Sequence, residues 1–556
     1  MPITNKLVRT LHSKQWQPMA ITPFNSSAGT IWVSDQTGDS NVSLVSNSAT
    51  SHYLYFHDED ALTQIPSASF AGSWGAGACG IYHPWSINYT ANGGSTTTLT
   101  VLASTHNITG LARGSTIEFI SSSTNSGLRR TVTDVITNAG SGNITLILDS
   151  AVPTAVLNTH TFRLTTGRFY VMSAGTVSAG SWKVFDLATL AWQANLATAN
   201  LAGSWGTDGR VVCAYALGAR SNVTTGTATA GAGTSLTDTT KAWGVNQWAD
   251  YTLQIVGGTG AGQVRTITGN TATVLTVSSN WTANPDATSV YAVCGNDAYA
   301  TGLATAGAST TLTNSTKTWT VNQWTNYQVR IAGGTGIGQV RTIASNTATV
   351  LTVGSAWTTT PDATSIYIIE GNEDFLYLLG NNAVTMYRYS ISANTWTVMA
   401  PTTARAGAAT TGMTADVAIK TGDAVWANEN AILDGRYIYS IRGGTALIDR
   451  FDIAGGTAGA GAWANVVYQG TETFGSGGSG CINGRYLYLR KENNHRFFKY
   501  SITGNNLEPL SINFQAEGGA VVGQKIWVKN LDATGTTQWL YSHRNTGTEL
   551  YRLLLF

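Results

Sequence analysis

The densest acidic cluster in the sequence is His57-Asp58-Glu59-Asp60, whose oxygens could hold a hard cation such as Ca²⁺. Its spacing matches no EF-hand loop, and a solvated turn is the favoured reading. Gly257-Gly-Thr-Gly-Ala-Gly262 offers the glycines of a phosphate loop, but no Lys-Ser/Thr follows, and Gln263 to Ile267 reads as a strand. A glycine-rich hairpin turn accounts for it better. The eight His residues, at 12, 52, 57, 83, 106, 160, 495 and 543, form no HxH, HExxH or His-x3-His pair, so no zinc site is expected. Cys79, Cys213, Cys294 and Cys481 are too scattered for a disulfide framework and form no CxxC; Cys79, Cys213 and Cys481 read as small buried apolar residues. No G-x-S-x-G elbow supports serine hydrolysis. The sequons Asn88-Tyr-Thr90 and Asn222-Val-Thr224 read as turn chemistry. Four aromatics remain, Trp243, Trp248, Trp319 and Trp324, which could stack on sugar rings if exposed. Their recurrence in register favours a core role over ligand binding. No catalytic residue, metal ligand or cofactor site is assigned, and the chain is expected not to be an enzyme.

Composition narrows the partners. Of 556 residues only 11% are charged, against roughly 25% in ordinary globular proteins. Lys+Arg 31 and Asp+Glu 30 leave a formal net charge of +1. No nucleic-acid partner is expected from such a balance. With 42% hydrophobic residues, 18 Trp and 22 Tyr, apolar area is ample and disorder is not expected. The 61 Gly residues point to many tight turns and few long helices. No window approaches 18 apolar residues, so no membrane span is expected. Met1 to Gln15 lacks a stretch of signal-peptide type, which fits a protein made in the cytoplasm.

A duplication sets the organisation. Trp243-Gly-Val-Asn-Gln-Trp248 returns as Trp319-Thr-Val-Asn-Gln-Trp324, and 324 minus 248 is 76. Gly257 to Ile267 (GGTGAGQVRTI) returns at Gly333 to Ile343, and Asn270 to Val277 (NTATVLTV) at Asn346 to Val353, with the same offset. A diverged third copy is placed near 92–163, with Ser115 to Ile120, Gly127 to Val132 and Asn143 to Leu148 as its corresponding strands. Alternation over four to eight residues rich in Val, Ile, Thr and Tyr, broken by Gly or Asn, predicts strands and hairpins. Each copy is expected to be a small β-barrel or sandwich with Trp in its core.

The remaining chain follows a second grammar. Gly435-Arg-Tyr-Ile-Tyr leads to Phe451-Asp452 and Trp463; Gly484-Arg-Tyr-Leu-Tyr leads to Tyr500-Ser501; Phe375-Leu-Tyr leads to Tyr389-Ser390 and Trp396; Gly167-Arg-Phe-Tyr leads to Phe185-Asp186 and Trp192. This order resembles the kelch repeat, the four-stranded blade of a β-propeller, although the expected diglycine survives only as Gly443-Gly444 and is reduced to Gly380 elsewhere. The resemblance implies an all-β, kelch-like propeller of about six blades, with five or seven also open. The sialidase box S-x-D-x-G-x-T-W is not matched by Ser34 to Ser40. Gln15 to Pro23 resembles an outer strand without a blade of its own, and the last unit, from Gln524 to Phe556, lacks one strand. The N-terminal strand is therefore expected to close the last blade.

The expected organisation is propeller at 1–87, module one at 88–163, propeller at 164–222, module two at 223–297, module three at 298–370 and propeller at 371–556. Both insertions interrupt the step from innermost to second strand, so the modules should leave one face of the ring.

The pattern W-x-V-N-Q-W, G-T-G-x-G-Q-V-R-T-I, N-T-A-T-V-L-T-V, W-T-x-x-P-D-A-T-S-x-Y resembles a module of structural proteins in tailed bacteriophages. That implies a non-enzymatic virion component of the tail, baseplate, collar or fibre apparatus, made in the host cytoplasm. Its expected partners are other virion proteins in a symmetric homo-oligomer and a host-surface glycan. Two alternatives stay open: a carbohydrate-binding host-recognition protein, and a glycan-degrading propeller with paired carboxylates in its central pocket.

Overall fold

A computed structural model describes residues 16–25, 30–33, 42–57, 59–68, 70, 74–75, 78–83, 85–104, 108, 115–121, 125, 128–138, 140, 142–173, 177–178, 180–201, 210–212, 223–246, 248–249, 251–294, 298–370, 372, 374–379, 385–405, 412–414, 437–442, 445–452, 460–467, 471–474, 479–483, 486–491, 496–501, 505–510, 526–530, 538–543 and 547–555. Among these residues there are strands and turns and no helix, so none that could cross a membrane.

The segments that follow the second grammar form four-stranded antiparallel sheets in a β-propeller arrangement. From innermost to outermost strand, sheet one is Ile31–Val33, Val42–Ser48, Ser51–Phe56 and Ala61–Gln64. Sheet two is Cys79–His83, Arg168–Met172, Trp182–Asp186 and Ala191–Trp192. Sheet three is Arg210–Val212, Phe375–Leu379, Met386–Ser390 and Thr395–Val398. Sheet four is Gly412–Thr414, Tyr437–Arg442, Leu447–Asp452 and Ala462–Val467. Sheet five is Ser479–Asn483, Tyr486–Arg490, Phe497–Ser501 and Asn506–Pro509. Sheet six is Ile526–Asn530, Gln538–His543, Glu549–Leu555 and, from the other end of the chain, Trp16–Ile21.

These sheets bury both faces, so their alternate residues pack on opposite neighbours. In sheet one, Leu44 and Leu54 pack on Phe169, Val171 and Trp192 of sheet two. Val45 and Tyr55 face the other way, on Trp539, Tyr541 and Leu554 of sheet six. Tyr170 and Trp182 join sheet two to Leu376, Leu378 and Trp396 of sheet three, and Cys481 and Tyr488 join sheet five to Leu540 and Leu553 of sheet six. Innermost strands lie side by side from sheet four to five, five to six, six to one, one to two and two to three. Sheet three meets sheet four through Tyr377, Met386, Ile438 and Phe451. Close approach near the axis requires small residues. A Cβ at Gly80 would stand 2.7 Å from the Val33 side chain and 3.0 Å from the Tyr170 carbonyl.

The two ends of the described chain share sheet six, as expected. Trp16 pairs with Leu553, Gln17 with Arg552 and Pro18 with Tyr551. The Thr22 N–H continues the edge by donating to the Thr548 carbonyl at 2.8 Å.

Three seven-stranded sheets interrupt the four-stranded ones. The first spans strands from Ser86–Thr90 to Thr161–Thr165, between the first two strands of sheet two. The second and third run from Val223–Thr227 to Val290–Cys294 and from Ala298–Leu303 to Ile366–Glu370, between the first two strands of sheet three. All three share one strand order, with the first strand paired to the last. Within the second, Val264–Asn270 pairs through its first half with Thr252–Gly257 and through its second half with Val274–Val277, with a register shift between Ile267 and Gly269. The bulge at this strand links two four-stranded halves, and Leu253, Ile255, Leu275, Tyr291 and Val293 fill the core.

Candidate functional site

Each site begins with the repeated W-x-V-N-Q-W segment. Trp243, Trp248, Trp319 and Trp324 are all buried, at 7%, 2%, 3% and 0% exposure. They pack edge-on to tyrosines of their own module: Trp243 to Tyr291, Trp248 to Tyr251, Trp319 to Tyr367 and Trp324 to Tyr327. Enclosed rings of this kind have no face free for a sugar. Their burial, at about 1.5–3 kcal/mol for a large apolar side chain, instead anchors the segment between them.

That segment is a rigid display loop. Asn246 and Asn322 take the left-handed conformation, φ 56° and 60°, which Asn tolerates better than most residues. The Asn270 carbonyl oxygen accepts the Trp248 N–H at 2.8 Å, while its NH₂ donates to the carbonyls of Gly244 and Thr271, each at 2.8 Å. Asn346 clamps module three in the same way through Trp324, Thr320 and Thr347. What the loop presents outward is Val245 and Val321, 78% and 66% exposed. The same WxVNQW pattern could have revealed them, since an apolar residue between two core tryptophans must point away from them.

The glycine-rich segment is a hairpin turn, as expected. Gly258, Gly260 and Gly262 have φ of 74°, 80° and 90°, and Gly334, Gly336 and Gly338 repeat them at 72°, 83° and 86°. A Cβ on Gly258 would lie 1.9 Å from the Thr288 carbonyl oxygen, so only glycine fits. Gln263 ties the turn down, donating to the Ala283 carbonyl at 2.8 Å and accepting from the Thr282 N–H at 2.7 Å. The adjoining Asp286 and Asp362 cap their own loops. The hydroxyl and backbone N–H of Thr288 hold the Asp286 carboxyl below its usual range, and Thr364 does the same for Asp362. The third module shows Ile337 at this tip, 67% exposed, where the second has Ala261.

The other chemical candidates have structural duties. His57 is buried against the Ser43 hydroxyl at 2.8 Å, Asp60 accepts the Tyr55 hydroxyl at 2.7 Å, Glu59 is exposed, and Asp58 lies outside the described residues. Cys79, Cys294 and Cys481 are buried and in no disulfide; Cys213 lies outside the described residues, as do His12, His106, His495, Asn222, Gly380 and Gly443-Gly444. Asn88 sits within the strand Ser86–Thr90. Among the described residues no group of three or more His, Cys, Asp or Glu could hold a metal ion.

The buried carboxylates among the described residues are all engaged. Asp186 accepts from Arg168 at 2.7 Å, Asp238 from the Tyr291 hydroxyl at 2.7 Å, Asp449 from Arg405 at 2.6 Å and Glu370 from Arg330 at 2.9 Å. The Arg168 guanidinium also lies 3.7 Å from the Trp85 ring at the root of module one. The Arg388 guanidinium, stacked on Phe375 and donating to the Asn326 side-chain Oδ1 at 3.0 Å, plays the matching part at module three. The arrangement can fix knobs on a ring and present apolar tips.

No protein-family model matches the chain, and no curated protein is similar to it in sequence. Among solved structures it is similar to the β-propeller domain of Myceliophteria thermophila Cps50 (Swd1), at 11% identity over 33% of this chain and 51% of that one, TM-score 0.21. The chain thus spans about half the length of that propeller domain. An auxiliary nutrient binding protein from Bacteroides thetaiotaomicron VPI-5482 is 10% identical over 84% of this chain and 96% of that one, TM-score 0.21. The phage phi92 endosialidase is 11% identical over 98% of this chain and 70% of that one, TM-score 0.19. At this similarity none of the three lends its activity to the chain.

Proposed function

We propose that the protein is a non-enzymatic structural component of a tailed-bacteriophage particle, a kelch-like ring of six blades that carries three inserted β modules for contact with neighbouring subunits or the host surface. The observation that carries this reading is the repeated display loop. Two modules bury the same pair of tryptophans and clamp the same asparagine, yet leave Val245 and Val321 exposed at corresponding points. A rigid tip presented more than once suits multivalent contact, because ordering costs are already met before binding and linked sites reinforce each other. The engaged state of every described buried carboxylate supports contact rather than hydrolysis as the mode of action. The bacteriophage assignment rests on the sequence resemblance of the modules.

The test is mass spectrometry of purified particles, followed by immunogold labelling with antibody to the modules. The expected result is stoichiometric presence and labelling at the tail, baseplate, collar or fibres. Absence of the chain from the particles overturns the virion reading, and turnover of a host glycan by the purified protein overturns the non-enzymatic one.

A further inference from the structure

A seven-stranded module has a second sheet face, turned away from its core; in modules two and three that face is covered, while in module one it is largely closed around Glu118 and Arg163 and exposed at Asn88 and Thr90 of the edge strand. In modules two and three the cover is mutual. Val223–Thr227 packs beside Gln328–Gly333, and Thr252–Gly257 beside Ala298–Leu303. By the 76-residue offset these are the same two strands with their roles exchanged, which is the signature of a two-fold, self-complementary contact. Its apolar part is Ala292, Cys294, Ile366 and Ile368.

Beside this apolar part lies an ionic one. Arg330, on the outer face of Gln328–Gly333, pairs with Glu370; their side chains are 8% and 4% exposed. In module one the strand Thr116–Ser121 occupies the place of Gln328–Gly333 in the shared order, and Glu118 stands where Arg330 stands. Glu118 pairs with Arg163 at 3.2 Å, and both lie opposite the core-facing Ile117, Phe119, Phe162 and Leu164. On an open sheet face such a pair would be largely in water, yet these side chains are only 15% and 14% exposed.

We infer that the first module docks on the tandem pair through this outer face, its Glu118 set against Arg330, so that the three insertions form one rigid head instead of three separate knobs. Burial opposes the charge on Arg330, but the Glu370 carboxylate outweighs it and Glu118 acts in the same sense, holding the guanidinium protonated above its ordinary range. The inference stands apart from the virion reading, since it concerns the arrangement of the modules wherever the protein works. It also supplies a reason for the polar character of the first module's face. A third apolar copy would be free to pair with either neighbour, whereas opposite charges admit one partner.

Hydrogen exchange on the full chain tests the docking. Glu118→Gln is expected to quicken exchange not only within 116–121 and 161–165 but also across 328–333, by roughly threefold to tenfold, as loss of a partly buried ionic contact gives. Arg163→Gln, which breaks the pair inside module one but leaves Glu118 in place, is expected to act within module one, on 116–121 and 161–165, and to leave 328–333 as in the parent protein. From the other side, Arg330→Lys should leave 116–121 as in the parent protein, while Arg330→Met should quicken it. Effects of Glu118→Gln that stop at the boundary of module one, together with unchanged exchange of 116–121 in Arg330→Met, would overturn the inference.

Discussion

The Arg405–Asp449 pair offers the sharpest test of how the ring is held. Arg405 comes from the connection after sheet three and crosses sheet four, where its Nε donates to Asp449 at 2.6 Å and its Nη2 to the Ser440 hydroxyl at 3.2 Å. The side chains are 2% and 0% exposed, so water cannot replace either partner. The same connection is bonded to sheet four through Thr402 N–H to the Gly461 carbonyl and Trp463 N–H to the Thr403 carbonyl. Removing one member of such a pair leaves a buried charge uncompensated, at a cost of about 3–5 kcal/mol. At about 1.4 kcal/mol per factor of ten, that is roughly two to three and a half orders of magnitude in local opening. Arg405→Met keeps a hydrocarbon chain against Trp463, which the guanidinium now approaches at 5.5 Å, and so isolates the charge. Hydrogen exchange over 437–442 and 447–452 should accelerate by that factor in Arg405→Met. It should return to within about tenfold of the parent in Arg405→Met/Asp449→Leu, since replacing both charges by packed apolar groups is close to neutral. Exchange in the single variant within fivefold of the parent, or a double variant worse than the single, would refute the reasoning.

His52 predicts an acid sensitivity of the junction between sheets one and two. It is fully buried, accepts from the Ser46 hydroxyl at Nδ1 and donates from Nε2 to the Ala49 carbonyl, and burial pushes its pKa down to about 4. The neutral ring is therefore favoured by folding. Its contribution is complete above pH 6.5 and is lost as pH falls toward 4, a total of about 3 kcal/mol. The stability difference between the parent and His52→Gln should shrink across that window in chemical denaturation; a pH-independent difference would count against it. In the glycine turn, Gly334→Ala places a Cβ 1.9 Å from the Thr364 carbonyl oxygen, whereas at Gly338 nothing lies within 4 Å. Gly338→Ala should cost about 1–2 kcal/mol from left-handed strain alone, and Gly334→Ala clearly more, by thermal melting of module three; equal costs would mean the turn is built otherwise. Finally, Gln17→Cys with Arg552→Cys, which face each other across sheet six, should form a disulfide on oxidation and raise ring stability by about 2–4 kcal/mol. Failure to cross-link in the folded protein would place the N-terminal strand elsewhere.

Which of these features could be read before the fold was known depends on whether one segment or two define them. The duplicated modules, the buried tryptophans and the glycine turn were legible because each is written within a few consecutive residues and then repeated. Arg405–Asp449 was not, because an ion pair 44 residues apart leaves no periodic trace. The outer faces of the modules fall between these cases. The closing strands read VYAVC in module two, IYIIE in module three and TFRLT in module one. A strand with one wet face alternates, whereas a strand buried on both faces becomes a continuous apolar run. VYAVC and IYIIE therefore already state that something apolar lies on each side. TFRLT keeps Phe162 and Leu164 for the core and sets Arg163 outward. Deciding that Arg163 is covered rather than solvated required knowing which charge stands opposite. That knowledge comes only from strand register, which sets Glu118 beside Arg163 and in the place that Arg330 fills in module three.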